Sequence, residues 1–350
     1  MDIGGANTKA AFVKTKNGRV EKTAAASEYL PMWKCPEKLP ATLKDLAKRV
    51  AGHNRLDLVT VTMTAELADS YQTKREGVNH ILDDIEKAFP DEKMLVVDIE
   101  GKLRTFEEAK LEPEKVAAAN WAATGWLISQ LKRDCIAIDV GSTTTSIIPV
   151  HEGKVLTEGK NDLEKLILGE LVYTGSLRTN VATIVKRIPL KKGNARVSSE
   201  SFAQSADVHL ILGNISPADY TVDTNDGKEK TRKAALARLA RVVCADTEML
   251  SEEEIVGMAE CAYAAQVKQI AQALTQVSAH FNSEARYMTA VVTGLGRNFL
   301  ARKAAEQVGF AEIEDLGDFV GNVFAKVSTA FAVAVMGASL LEGGVVNWTR

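Results

Sequence analysis

Asp2-Ile3-Gly4-Gly5-Ala6-Asn7-Thr8-Lys9, followed by the apolar Ala10-Ala11-Phe12-Val13, has a counterpart later in the chain. That counterpart is Ile136-Ala137-Ile138-Asp139-Val140-Gly141-Ser142-Thr143-Thr144-Thr145, followed by Ser146-Ile147-Ile148-Pro149-Val150. Both stretches read as strand, tight turn, returning strand. The first strand ends in an aspartate, the turn combines glycine with small hydroxyl or amide residues, and an apolar strand leads back. Polar segments follow each copy, Lys14 to Arg19 and His151 to Lys154. Asn17-Gly18 and Glu152-Gly153 stand where hairpin tips are expected.

Between the copies, strands and helices alternate. Leu43, Leu46, Ala47 and Val50 share one face of a helix over Ala41 to Ala51. The β-branched run Leu56 to Thr64 predicts a strand, Asn79 to Phe89 a helix ended by Pro90, and Met94 to Asp98 a short buried strand. Glu112-Pro113-Glu114 opens a helix expected to run through Gln130. The second half repeats the order. Val208 to Gly213 reads as a strand, Lys230 to Val243 and Ser251 to Phe281 as helices, Thr289 to Thr293 as a strand into Gly294-Leu295-Gly296, and Phe299 to Val308 as the helix after it. Val155 to Asn225 has no evident counterpart and reads as an insertion that builds substrate specificity. Alternation of this kind predicts an α/β fold with substantial parallel pairing.

At 350 residues and 46% hydrophobic the chain is long enough for two domains and too apolar for a disordered one. Its 43 basic and 46 acidic residues leave a net charge of -3, which supplies no basic footprint for nucleic acid or an anionic membrane. Cys35, Cys135, Cys244 and Cys261 are scattered without a CxxC pair, so neither a zinc knuckle nor a redox dithiol is suggested; they read as buried thiols of a reduced compartment. The start, with Asp2 and two glycines, lacks the pattern of a signal peptide. Val327 to Leu341 is rich in Ala, Ser and Thr and too short to span a bilayer, so a buried core helix and a cytoplasmic location are expected.

Two glycine turns, each preceded by an aspartate, suit phosphate binding. Backbone N–H groups of such turns converge on anions, Ser142, Thr143, Thr144, Thr145 and Asn7 add donors, and Lys9 adds a point charge. Asp2 and Asp139, at strand ends, are candidates to hold Mg²⁺ through water. One such turn alone reads as an ordinary β-turn; two in matching places favour phosphate. Thr293-Gly294-Leu295-Gly296 after a strand is weaker on its own, since a plain strand-to-helix turn has the same composition.

These residues resemble the acetate/sugar kinase, heat-shock chaperone and actin superfamily, whose first phosphate loop, second phosphate loop and adenosine loop they match in order. More narrowly, the chain resembles the hydantoinase/oxoprolinase-related proteins linked to tetrahydromethanopterin one-carbon pathways. That resemblance rests on Asp2 to Lys9, Met63 to Asp69, Ala119-Asn120-Trp121, Asp139 to Thr145, Tyr173-Thr174-Gly175 with Arg178-Thr179, Ala206 to Leu210, Asp219-Tyr220 and Thr224 to Gly227. It covers nearly the whole chain.

The resemblance implies two actin-like (ribonuclease H-like) α/β domains with a central ligand cleft. The first is expected over about 1–131, with the helix at about 327–341 returning to it, and the second over 132–323 with the insertion at about 155–225. It also implies a transferase of methanofuran or methylofuran assembly. Such an enzyme joins the phenol oxygen of γ-glutamyltyramine to an aminomethylfuran methyl diphosphate and releases diphosphate, with Mg²⁺ as cofactor and ATP admitted but not favoured. The alternative is an ATP-dependent small-molecule kinase. An amide- or lactam-ring hydrolase and a nucleotide-sensing assembly protein rank lower; no Cys/His or Ser/His set supports the former. The partners implied are these small molecules, without nucleic acid or membrane, and a homodimer is left open.

The catalytic candidates are Asp139, Asp2, Glu66 and Asp69, among which spacing does not choose. Glu66 and Asp69 read equally well as first-turn acids of a helix. Gly4, Gly5, Ala6, Asn7, Thr8, Lys9, Gly141, Ser142, Thr143, Thr144, Gly294 and Gly296 are the phosphate-binding candidates. Tyr173, Thr174, Arg178, Asp207 and His209 are the substrate-binding ones. Arg178 reads equally as a surface arginine, and an apolar setting makes His209 more often a hydrogen-bonded core residue. Because only Met1 stands before Asp2, where relatives of this kind carry several apolar residues, the first strand is expected to be short and Asp2 less firmly held.

Overall fold

The computed structural model describes residues 1–280 and 288–349. The opening repeat forms β1 (Asp2–Ile3), β2 (Asn7–Lys16) and β3 (Arg19–Tyr29). Asn17 and Gly18 both take positive φ, as the primed turn of a two-residue hairpin requires, and so do Glu152 and Gly153 in the second copy. With β4 (Val59–Met63), β5 (Met94–Val97) and β6 (Leu103–Arg104) the first sheet has the order β3-β2-β1-β4-β5-β6. The hairpin strands pair antiparallel, whereas β1 to β4 and β4 to β5 pair parallel.

The second sheet contains β7 (Cys135–Val140), β8 (Thr145–His151), β9 (Lys154–Val155), β10 (Leu171–Val172), β13 (Thr289–Gly294) and β14 (Glu312–Asp315). Its order is β10-β8-β7-β13-β14, with β9 also on β8. The repeated motif is thus a repeated topology. The segment from Val155 onward is only partly an insertion, because β10 fills the place that β3 fills in the first sheet. A separate hairpin, β11 (Arg187–Leu190) with β12 (Gly193–Arg196), is the decoration proper.

The chain divides into two compact units, Met1–Ala137 with Ile148–Ile167 and Glu314–Arg350, and Ile138–Ile147 with Leu168–Ile313. In the first, α1 (Leu39–Ala51) and α2 (Lys74–Ala88) cover one face of the sheet. Leu43, Leu46, Ile81, Leu82 and Ile85 are fully buried there against Ile3, Val61 and Met63. Each such side chain contributes roughly 1.5–3 kcal/mol as an upper estimate. Thr60 points the other way and donates to the Val333 carbonyl at 2.7 Å, on α13 (Ser328–Glu342), the buried helix expected from composition. α4 (Asn120–Ser129) packs beside α13, joined by Thr124 and Thr329 hydroxyls 3.1 Å apart. Short helices α3 (Phe106–Leu111), α5 (Asp162–Leu168), α11 (Leu316–Val320) and α12 (Asn322–Lys326) complete that part of the chain.

In the second unit α9 (Glu252–His280) is the spine, packed on α7 (Ser205–Ile211), α8 (Arg232–Arg241) and α10 (Arg302–Val308), with α6 (Val181–Ile184) at its side. The last residue of the helix expected here, Phe281, lies outside the described residues. No helix among the described residues is long and apolar enough to cross a membrane.

Three expectations are corrected. Val208 to Gly213 is the end of a helix, α7, not a strand. A short apolar run is equally at home in either when buried on all sides, and here Gln204 and Asp207 form a reciprocal cap that starts a helix. The single helix expected from Glu112 is two pieces, a 3₁₀ turn at Pro113–Lys115 and then α4. They are separated by Ala118, whose φ of 52° no helix interior tolerates. Of the four cysteines only Cys135 is buried; Cys244 is exposed.

Candidate functional site

In the first unit the turn after β1 is closed by Gly4 N–H donating to the Asn7 carbonyl at 3.1 Å. A Cβ on Gly4 would stand 2.7 Å from that oxygen, so glycine is required; Gly5 faces open space. The chain after β3 seals the turn through Leu30 N–H to the Ala6 carbonyl and Met32 N–H to the Gly5 carbonyl, both 2.9 Å. Asp2 stands in register with Lys9 on β2 and Thr62 on β4. Its Oδ2 is 3.5 Å from Lys9 Nζ, while the buried Oδ1 has no hydrogen-bond partner, nor has the Thr62 hydroxyl.

Two residues beyond Thr64, whose N–H donates to the Ile3 carbonyl, comes Glu66, 1% exposed. Burial pushes its carboxyl up to about 7, against the pull of Lys74 Nζ at 3.8 Å. Lys74 also holds Asp162 at 2.9 Å. A carboxyl titrating near neutrality beside a lysine is equipped to take up and return a proton. The start of α2 presses on Glu66: a Cβ at Gly77 would collide with the Glu66 carbonyl. Asp69 is exposed and is not part of this buried group.

In the second unit three loops meet. Gly141 N–H donates to the Thr144 carbonyl at 2.9 Å, closing the second turn. The 175–178 loop lies directly on it: Ser176 N–H reaches the Gly141 carbonyl, Leu177 and Arg178 N–H reach the Ser142 carbonyl, and a Cβ on Gly175 would stand 2.5 Å from the Thr143 carbonyl carbon. Arg178 Nη1 donates to the Thr143 hydroxyl at 3.3 Å, which puts a guanidinium beside the turn. The glycine turn after β13 is the third loop. Gly296 N–H donates to the Val140 carbonyl at 3.0 Å, and a Cβ on Gly294, at φ 87°, would collide with that carbonyl and stand 2.6 Å from Asp139 Oδ1. Asp139, Gly141 to Thr144, Arg178, Gly294 and Gly296 are therefore one constellation.

The other substrate candidates are placed differently. Tyr173 is 68% exposed. Thr174 is buried and accepts from Gln266 Nε2 at 2.9 Å. Gln266 also donates to the Gly175 carbonyl at 2.8 Å and pairs with His209 Nε2 at 3.0 Å. His209 is fully buried, and burial pushes its imidazole down to about 3, so it is neutral core. Asp207 is committed to Arg238 at 2.8 Å and to the Tyr220 hydroxyl at 3.1 Å.

Residues 57–336 match the model of the Hydantoinase/oxoprolinase family. The chain belongs to that family. Within it, the chain is 38% identical over 335 residues, 95% of each chain, to the (4-{4-[2-(γ-L-glutamylamino)ethyl]phenoxymethyl}furan-2-yl)methanamine synthase of Methanocaldococcus jannaschii. It is 33% identical over 208 residues, 59% of this chain and 91% of the relative, to the synthase of the same description from Methanococcus vannielii. A nucleotide-free acetone carboxylase structure superposes with a TM-score of 0.51 at 12% identity, over 87% of this chain and 46% of that one. That likeness is one of fold and, with the two matching sheet orders, places this hydantoinase/oxoprolinase family member among actin-like α/β proteins.

Sequence reasoning in this family member missed Lys74, Asp162 and Gln266. Gln266 had a signal: it is the polar residue in an otherwise apolar stripe of α9, with Met258, Ala259, Ala262 and Ile270. Lys74 and Asp162 are 88 residues apart and had none.

Proposed function

We propose that the chain is the ether-forming transferase of methanofuran-type cofactor assembly. It would join the phenol oxygen of γ-glutamyltyramine to the exocyclic methylene of an aminomethylfuran methyl diphosphate. The observation that carries this reading is the 38% identity to the methanamine synthase over 95% of both chains. In balance, a C–O bond forms from the phenol oxygen to the methylene, the bond from the methylene to the diphosphate oxygen breaks, and diphosphate leaves with the bonding pair. The phenol proton goes to a base.

Glu66 is the base this reading prefers. It is buried, its carboxyl is raised to about 7, and Lys74 is present to steady its anion. The Gly4 turn with Lys9 supplies N–H donors and a cation for diphosphate. The Gly141 turn with Arg178 is a second anion-binding element, and Arg178 is assigned to phosphate in preference to the γ-glutamyl carboxylates because its partner is Thr143.

Among the described residues no group of three or more His, Cys, Asp or Glu side chains is gathered for a metal. The unpartnered Oδ1 of Asp2 fits the other way Mg²⁺ is held, by one carboxylate, waters and substrate phosphate. Bound there, the ion would neutralise charge on the leaving group.

A second reading, an ATP-dependent small-molecule kinase, is favoured by one observation, the Gly294 turn seated on Asp139 and Val140. Mass spectrometry of paired incubations separates the two. Protein, Mg²⁺, γ-glutamyltyramine and the furan diphosphate should yield the coupled ether and free diphosphate. Product only from the furan alcohol with ATP would sink the transferase and promote the kinase.

A further inference from the structure

The polarity of α5 is inverted. Its one buried side chain is Lys165, 1% exposed, while Leu163 and Ile167, on the opposite side of the helix, are 69% and 68% exposed. An amphipathic helix held by apolar burial shows the reverse. Lys165 Nζ lies 3.8 Å from the centre of the Trp121 ring on α4, and Asn161 caps the helix by accepting from Glu164 N–H at 3.0 Å. Charged and polar contacts place α5, and they fix its first residue, Asp162.

Asp162 reaches α2. It accepts a hydrogen bond from Lys74 Nζ at 2.9 Å, and both side chains are partly exposed. The same Nζ stands 3.8 Å from Glu66 Oε1, beyond hydrogen-bond reach, and Glu66 Oε2 is buried without a partner. Lys74 is bonded to the outer carboxylate and stands back from the inner one. Burial raises the Glu66 carboxyl, Lys74 lowers it, and Asp162 raises it again. The other charged groups nearby are engaged elsewhere or exposed: Arg75 pairs with Glu114 at 3.9 Å, Glu76 accepts from Gln72 N–H, Lys165 lies on Trp121, and Asp69 is exposed. A lysine bonded directly to a buried carboxylate holds it as the anion and blunts it as a base. A lysine shared with a second carboxylate keeps a counter-ion whether or not the first carries a proton.

We propose that Asp162 is a positioning residue for the reaction: from α5 it draws Lys74 back from Glu66, so that Glu66 stays able to take up and return a proton. This rests on the reading of Glu66 as the base. Asp162 touches no reacting atom and acts through Lys74.

The test follows the Glu66 carboxyl in the substrate-free full chain by ¹³C NMR after ¹³C-glutamate labelling, its signal identified by its loss in Glu66→Gln. Asp162→Asn, which keeps shape at a partly exposed position, should move the titration midpoint down by ~1 pH unit. Lys74→Gln should move it up. In the Lys74→Gln background, Asp162→Asn should move it less than half as far, and Asp162→Glu alone should return it to the parent value. A midpoint that Asp162→Asn leaves in place would overturn the proposal, as would a shift undiminished without Lys74. The acid limb of the kcat/KM profile for ether formation should move with the midpoint. A limb that stays put while the midpoint moves would also overturn the positioning role, by removing Glu66 from the chemistry. Absence of ether from the parent protein would fail the transferase reading alone, since the NMR midpoint needs no substrate.

Discussion

Around Gly4 the turn is closed by its own hydrogen bond and by the chain after β3, and the aspartate beside it keeps a buried oxygen without a partner. Around Gly141 the same strand-turn-strand unit is pressed from two sides, by Gly175 and Gly294, at distances that admit no side chain. One topology thus carries two kinds of support. Near the first turn stand the ion pair of Asp2 and Lys9 and the buried Glu66, raised to about 7, with Lys74. The second is a turn tied by backbone hydrogen bonds to the loops packed on it, with the Arg178 guanidinium on Thr143 and with Gln266 bonded to Thr174 and Gly175. At the first turn Asp2 Oδ1 and the Thr62 hydroxyl stand buried without partners; at the second, close glycine contacts lock the backbone.

The sharpest way to break this contrast is Glu66→Gln, which keeps shape and removes the proton acceptor. In the coupled assay kcat should fall by ~10²–10⁴; a rate within threefold of the parent would move the base elsewhere. The same residue sets a pH window. Its native value of about 7 lies above the ordinary 4.5, so its contribution to stability is full below 4.5 and is lost as pH rises through about 7. The loss is on the order of 3 kcal/mol. Denaturant melts should show the parent weakening across that window relative to Glu66→Gln, and parallel curves would show that Glu66 is no different from a solvated acid.

The second turn is probed by backbone. Gly294→Ala, at positive φ and against the Val140 carbonyl, should cost ~1–3 kcal/mol in urea melts, whereas Gly5→Ala meets nothing and should stay within ~0.5 kcal/mol. Equal costs would mean that the two turns are supported alike. Gln266→Leu should cost ~1–2 kcal/mol by leaving Thr174, Gly175 and His209 short of partners. It should raise KM for the diphosphate more than it lowers kcat; the reverse would make the loop's support irrelevant to binding. The smallest effect belongs to Asp69→Ala, which should change the rate less than twofold, since Asp69 is exposed outside the buried carboxylate group.

Both hairpins were legible because Asn17-Gly18 and Glu152-Gly153 carry their turn geometry in the residues themselves. The repeat announced the two sheets for the same reason. Glu66 and Asp69 could not be separated, because what buries one is Gly77 and α2, and what pairs it is Lys74 with Asp162, all tertiary. His209 was readable as core from its apolar neighbours although its strand was in truth a helix: burial is shared by both, periodicity over so short a run is not. Asp207 looked like a ligand until Arg238, 31 residues on, took its carboxylate.

Gly77 has no side chain, no charge and no part in any reaction. Because any Cβ there would meet the Glu66 carbonyl, it nevertheless sets where the Glu66 backbone lies. A saturation scan of this chain would therefore score position 77 as intolerant as a reacting group, and a reader of such a map would be misled about where the chemistry is. The two positions behave as a single heritable trait: a substitution at 77 would survive only beside a backbone shift that also relocates the carboxylate.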